Sequence, residues 1–309
     1  MSLFVEQSAT VSQFDNPDAW VVLSKDEQII KQKIEKVGTP LKDWDINIYR
    51  GVLTGFNEAF IIDGKTKDAL IAQDPKCCEI IRPILRGKDI KKYTAEFADL
   101  WLIATHNGIK SKEIPRINVE KDYPSVFEHL KQYQTELQAR QDKGDHWTNL
   151  RNCAYWEEFE KKKIIYPNMT KYLPFTYDDK NNYYSNDKSF IINGKHIEYL
   201  VLFFNSSLFK YCFRDNFPEL QGGTRELRKV FFDTLSVKLV SDTDNGVFSA
   251  KLKNLMGLKQ LRKSTHKVER DIENMIFDLY GITEKERNQI LNSEKVQSIN
   301  QYVDETLSD

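Results

Sequence analysis

Cysteine is scarce and unpatterned. Cys77, Cys78, Cys153 and Cys212 are the four in 309 residues. No two form a CxxC pair, and the adjacent Cys77 and Cys78 cannot be bridged without severe backbone strain. A disulfide scaffold is excluded, and a reduced compartment fits. The five histidines, His106, His129, His146, His196 and His266, have no HxxxH or HExxH spacing, so a zinc centre has no sequence support. No apolar run approaches the roughly 18 residues of a membrane-spanning helix. The opening Met1-Ser2-Leu3-Phe4-Val5-Glu6-Gln7 lacks a basic region followed by an apolar core. A cytoplasmic protein without a membrane anchor is therefore expected.

Catalytic loops are missing as well. The paired glycines Gly222-Gly223 do not follow a strand in a βαβ unit, so they do not read as a nucleotide cradle. There is no GxSxG elbow. Asn16-Pro17 is followed by Asp18, so the Asn-Pro-Pro-Tyr type motif that grips a flipped target amine is lacking. Two carboxylates and a lysine for a metal nuclease can be drawn from Asp74, Asp89 and Lys91, a pattern loose enough to arise by chance.

What is present is an ordinary globular composition, 40% hydrophobic and 29% charged, with chain enough for one large domain or two ordinary ones. The 45 Lys+Arg and 46 Asp+Glu leave a net charge of -1, and this balance hides asymmetry. Residues 249–270 hold seven bases and one acid, whereas 271–309 hold nine acids and three bases. A second basic cluster is Arg82, Arg86, Lys88, Lys91 and Lys92, interrupted by Asp89. Either could meet phosphates, although a solvated helix face is the plainer reading of the first.

Apolar periodicity predicts a first helix over Asp26–Val37, ended by Gly38 and Pro40. Strands are expected at Trp44–Ile48, Ala59–Ile62, Leu100–Ala104, Ile164–Tyr166, Ser189–Ile192 and Leu235–Leu239. Val126, Leu130, Tyr133 and Leu137 predict one helix with a Ser125/Glu128 capping box after Pro124. A shorter helix fits Ile197–Phe204. The C-terminal part reads as helical, with Gly281 as a C-cap and Thr283/Glu286 capping the next helix. Strands followed by a helical end, without βαβ alternation, argue for α+β.

Several segments together resemble one family. Gly51-Val52-Leu53-Thr54-Gly55-Phe56-Asn57-Glu58-Ala59-Phe60-Ile61-Ile62-Asp63 and Arg82-Pro83-Ile84-Leu85-Arg86-Gly87-Lys88-Asp89-Ile90 resemble hallmark blocks of the TaqI-like C-terminal specificity domain. This is the target-recognition domain of adenine-specific DNA methyltransferases and of type IIG restriction-modification enzymes. The likeness continues through Ile103–Gly108, Tyr123-Pro124, Arg140–Gly144, Leu150–Trp156, Lys163–Tyr166 and Leu202–Leu208, and Ile276–Thr283 is similar to the closing helical segment. The resemblance implies a β-rich, double-β-helix-like winding of short strands with inserted helices and a C-terminal α-hairpin. It divides the chain into a linker with the first helix (1–43), a target-recognition domain (44–240) and a C-terminal helical segment (241–309). It also implies a carboxyl-terminal piece of a larger enzyme. The partners would be double-stranded DNA and the methyltransferase domain of the parent polypeptide, which would hold S-adenosylmethionine, with no cofactor or catalysis in this chain.

Within that frame the candidate DNA contacts are ordinary chemistry. Arg50, Thr54 and Asn57 flank glycines that let backbone N–H groups approach a phosphate, with a turn cap as the plainer role of Asn57. Arg82, Arg86 and Lys88 suit a sugar-phosphate backbone, or an ion pair with Asp89. Gln221 and Arg225 carry the groups that read adenine and guanine in a major groove, with Arg228 and Lys229 behind them. Met169-Thr170-Lys171-Tyr172 is a second reading segment, with Lys171 as its contact. Trp147, Tyr155 and Trp156 could stack on a base but more often fill a core. The competing functions are a metal nuclease and a protein-interaction module built on the helical C-terminus.

Overall fold

The computed structural model describes residues 24–298. Met1–Gln7, the Asn16-Pro17-Asp18 segment, the start of the 1–43 linker and the end of the acidic stretch lie outside them. In chain order the elements are α1 (Lys25–Val37), β1 (Thr39–Pro40), β2 (Ile46–Arg50), α2 (Asn57–Phe60), β3 (Ile61–Asp63), α3 (Gly64–Gln73), β4 (Ile81–Leu85) and β5 (Leu100–Ile103). Then come α4 (Val119–Asp122), α5 (Pro124–Lys131), α6 (Gln134–Ala139), β6 (Lys163–Pro167), β7 (Met169–Thr170), β8 (Thr176–Asp178), β9 (Tyr184–Ser185), β10 (Ser189–Gly194), α7 (Ile197–Phe204) and α8 (Ser207–Phe213). The chain continues with β11 (Arg225–Glu226), α9 (Lys229–Asp233), β12 (Ser236–Val237), α10 (Asp242–Gln260), α11 (His266–Leu279) and α12 (Glu284–Leu291). Over the described residues the class is α+β, with 49% helix, 19% strand, several small sheets and no closed barrel.

Two compact units share the chain. One comprises residues 47–168 and 175–197. Its sheets run β2-β10-β6-β8 and β3-β5-β4-β9, the second closed by the parallel pair β4–β9. The expected strand at Leu100–Ala104 supplies the buried Leu102 and Ile103, β4, not expected from the sequence, adds the buried Ile84 and Leu85, and Val126, Leu130 and Leu137 pack onto them. Where β6 opposes β8, Lys163 faces Asp178 in register. Their 2.8 Å ion pair is fully buried, and Asp178 also accepts from the backbone N–H groups of Asn181 and Tyr183 at 2.9 and 2.8 Å.

Among the described residues the other unit comprises 24–46, 169–174 and 198–298. Its core is aromatic, with Tyr199, Phe203, Phe204, Phe209, Phe213, Phe217 and Phe232 buried together. The Tyr199 and Tyr280 hydroxyls meet at 2.8 Å, and Tyr280 accepts the Lys238 N–H at 3.0 Å. Each buried phenol thus keeps a partner, as desolvated polar groups require.

Several expectations shift by local chemistry. The single helix predicted over Val126–Leu137 is two helices: the N–H groups of Gln132 and Tyr133 bond three residues back, to His129 and Leu130, and this tight turn separates α5 from α6. Ser125 does not cap; its hydroxyl sits 3.1 Å from the Cys77 sulfur and donates to the Leu70 carbonyl. Ala59-Phe60 end the short helix α2, and only Ile61–Asp63 joins a sheet. The expected strand Leu235–Leu239 pairs through Ser236 and Val237 alone, because its partner ends in Pro40, which has no N–H to extend the ladder. The Gly281 C-cap (φ 63°) and the Thr283/Glu286 capping box are present as expected.

Candidate nucleic-acid interface

In the first unit, β2 delivers Arg50 to a close backbone crossing. A Cβ on Gly51 would fall 2.0 Å from the Asn186 carbonyl oxygen, so only glycine fits there. Arg50 remains half exposed, donating from Nε to the Asp187 carbonyl at 3.0 Å and lying 3.5 Å from its carboxylate. The Tyr155 hydroxyl holds the Arg50 carbonyl at 3.1 Å, and the Tyr155 ring stacks on Tyr49 at 4.6 Å. Trp147, Tyr155 and Trp156 pack against the core. Thr54 is buried and donates to the Asn57 side-chain oxygen at 2.6 Å. That bond shapes the turn into α2 and leaves Asn57 itself on the surface.

The Arg82–Lys92 cluster is mostly internally neutralised. Arg86 makes a bidentate pair with the buried Asp89 at 3.0 and 2.8 Å, and this bonding raises the guanidinium pKa. Arg82 donates to the Cys78 carbonyl at 3.0 Å and lies 3.5 Å from Glu160. Lys91 pairs with Glu96 at 3.3 Å. Lys88 is exposed and makes no ion pair among the described residues. The three nuclease candidates have separate tasks: Asp74 caps the 3-10 turn Pro75–Glu79, Asp89 holds Arg86 and Lys91 holds Glu96. Among the described residues no cluster of three or more His, Cys, Asp or Glu side chains could hold a metal.

In the second unit, β7 and β11 pair as a two-stranded antiparallel ribbon, Thr170 opposite Arg225 and Met169 opposite Glu226. This brings the two reading segments predicted from the sequence onto one element. Leu220 N–H bonds to the Thr224 carbonyl at 2.6 Å, closing the loop Gln221-Gly222-Gly223. Gly222 and Gly223 have φ of 73° and 79°, a left-handed pair that disfavours any side chain. A Cβ at Gly222 would lie 3.9 Å from the Lys171 ammonium, and one at Gly223 would meet nothing within 4 Å. The loop therefore presents Gln221, Lys171 and bare backbone, flanked by the exposed apolar Met169 and Leu220.

Arg225 is turned away from this surface. It is 8% exposed, donates to the Phe217 carbonyl at 3.1 Å and to Glu219 at 2.5 Å, and lies 3.1 Å from Asp215. Its guanidinium braces the loop from beneath, so the side chain named for guanine contact is occupied by protein. Arg228 pairs with Glu226 at 2.8 Å and Lys229 with Asp233 at 2.8 Å, each cation still more than half exposed. Surface pairs of this kind hold their cations weakly enough for phosphates to compete.

Two supports were assigned no structural task in the sequence reading, where Arg140 entered only as part of the family resemblance. Arg140 is buried, donates to the carbonyls of Thr54, Trp147 and Asn149, and lies 4.4 Å above the Phe60 ring. Burial pulls its pKa down to about 10, still charged at neutral pH. Asp215 receives both Arg225 and Lys295, the latter at 2.5 Å. Nothing in the local sequence marks Asp215, because its partners are distant in the chain.

Residues 82–235 match the family model described as the TaqI-like C-terminal specificity domain. The block from Gly51 to Asp63 precedes the matched span. Among solved structures, 21 chains match. One is the type IIL restriction-modification enzyme MmeI, solved in complex with DNA: TM-score 0.54, 11% identity, 82% of this chain and 36% of that one. Another is the type IIG restriction endonuclease BpuSI: TM-score 0.50, 12% identity, 82% of this chain and 33% of that one. At such identities the likeness is one of fold, and the chain spans about a third of either enzyme. No curated protein matches the sequence.

Proposed function

Residues 82–235 are a TaqI-like C-terminal specificity domain, and from that premise we propose that the chain is the DNA target-recognition region of a type II, IIG-like restriction-modification enzyme or of an adenine-specific DNA methyltransferase. It positions duplex DNA while a catalytic domain outside this chain acts on the extruded adenine. The observation that carries the reading is the family match, and the β7–β11 ribbon supports it. A two-stranded ribbon flanked by a glycine turn, an amide and an ammonium offers the donors by which side chains read base edges in a major groove.

In this reading Gln221 and Lys171 face base edges, Arg225 holds the loop in shape, and Met169 and Leu220 offer apolar contact to thymine methyl groups. Arg228, Lys229, Lys88 and Arg50 meet phosphates. Thr54, Asn57, Arg82 and Arg86 shape the turns that present neighbouring backbone and cations. S-adenosylmethionine belongs to the parent's methyltransferase domain.

The test is an exchange of residues 221–229 in the parent enzyme, read by methylome sequencing. A changed recognition motif is expected, whereas exchanging 82–92 should weaken binding and leave the motif intact. An unaltered motif after the first exchange removes the ribbon from the reading role.

A further inference from the structure

The basic run at 249–270 folds into the tip of the α10–α11 hairpin. Lys251 of α10 pairs with Asp271 of α11 at 2.8 Å, joining the two helices behind the connection 261–265. The tip's acid, Glu269, accepts the Thr265 hydroxyl at 2.7 Å. Arg262, Lys263, Lys267 and Arg270 are exposed and form no ion pair among the described residues. Four positive charges thus cluster on the connection 261–265 and the start of α11.

The backbone there carries a second signal. The Lys263 N–H bonds back to Leu258 and the Arg262 N–H to Lys259, the closing pattern of a Schellman-type helix end. The same pattern closes α11, where Ile282 bonds to Phe277 and Gly281 to Asp278. At that end the left-handed position is glycine, φ 63°; at the hairpin tip it is Arg262, φ 52°. A left-handed arginine is less favourable than glycine in this slot. The tip keeps a guanidinium where backbone geometry alone selects against a side chain.

Resting on the target-recognition reading, we propose that the α10–α11 tip is a second, sequence-independent DNA contact, in which Arg262, Lys263, Lys267 and Arg270 grip the phosphate backbone of a duplex held by the β7–β11 ribbon. Charge complementarity selects the occupant: Arg262, Lys263, Lys267 and Arg270 outnumber the neighbouring acids Glu269 and Asp271, the latter already held by Lys251, and such an excess of cations matches a polyanion; each phosphate neutralised should add about 0.9 to the log–log salt slope of binding.

The test uses the 309-residue chain and a fluorescent duplex carrying the parent's motif, with anisotropy measured across a salt series. Replacing Arg262, Lys263, Lys267 and Arg270 by Gln should lower the slope by roughly two to four and weaken binding at least tenfold at low salt. Discrimination against a scrambled duplex should not change. The matched control replaces Lys25, Lys36, Lys42 and Lys285, exposed lysines of the same unit, and should leave the slope within about one. Arg262→Gly should raise the melting temperature while weakening DNA binding, a pairing that misfolding cannot produce. If the chain binds the duplex but the fourfold variant and Arg262→Gly bind as tightly, the inference fails and the ribbon reading stands. If the chain binds no duplex, both fail. If the fourfold variant loses affinity for poly-glutamate but not for DNA, the tip serves an acidic protein and the inference is overturned.

Discussion

At the residue scale, the same side-chain type performs opposite tasks according to burial. Arg228 is a solvated cation, whereas Arg225, three positions earlier, is 8% exposed and shared among Phe217, Glu219 and Asp215. A planar guanidinium presents five N–H donors in a fixed fork, whereas the compact ammonium of lysine cannot match that planar geometry. Arg225→Lys should therefore destabilise the chain by about 1–3 kcal/mol in urea denaturation, and Arg228→Gln by less than about 0.5 kcal/mol. Equal effects would contradict the bracing role. The half-buried histidines give a second residue-level expectation. Burial lowers the pKa of His106, of His129 and of His146 from 6.5, with Arg116 adding to the effect at His146. Below pH 6.5 the unfolded chain then binds protons that the folded chain refuses, so stability is fully present above about 6.5 and is lost as pH falls through the window beneath it. The urea midpoint should drop between pH 7.5 and 5, and His129→Gln, which retains a donor near the Ala59 carbonyl, should reduce the drop. A midpoint flat over that range would refute the assignment.

At the element scale, pairing partners decide what a segment does. Met169-Thr170 and Arg225-Glu226 are too short to be strands alone, yet opposite one another they form the ribbon. The 221–229 segment was legible as a candidate reading loop from its glycines, amide and arginines, and 169–172 through the family resemblance, but their pairing depends on a register that no local pattern encodes. The Lys163–Asp178 contact is similar: each residue stands in an otherwise apolar or aromatic strand, and the tertiary pairing of β6 with β8 makes the charges compatible. Asp178→Asn should cost roughly 3–5 kcal/mol by leaving a buried ammonium uncompensated. Adding Lys163→Met should recover most of that loss in equilibrium unfolding. If the double variant is no more stable than the single one, the pair is not the source of the cost.

At the scale of the whole molecule, exposed basic side chains occur in both units, Arg50 and Lys88 in one and Lys171, Arg228 and Lys229 in the other, and the prediction concerns the intact protein. Its affinity for duplex DNA should be weak and should fall steeply between about 50 and 200 mM salt, as phosphate-dominated binding does. The purified chain should neither methylate nor cut the duplex. Anisotropy unaffected by salt, or methyl transfer by this chain alone, would refute the proposed role. Composition and periodicity by themselves determined the α+β class, most of the buried apolar strands, and the helical C-terminal segment with its Gly281 and Thr283 caps. These depend on local backbone preference and on apolar spacing, which neighbouring residues encode. Only the tertiary structure decided that residues 169–174 join a different unit from the strands flanking them. It also decided that Arg86 and Arg225 turn their charge inward to Asp89 and to Asp215 and Glu219, and that Arg262 sits where glycine closes the next helix. Whether a cation is free or neutralised depends on which acid folding brings within a few ångströms, and for Arg225 and Lys295 the shared partner, Asp215, is written elsewhere in the chain.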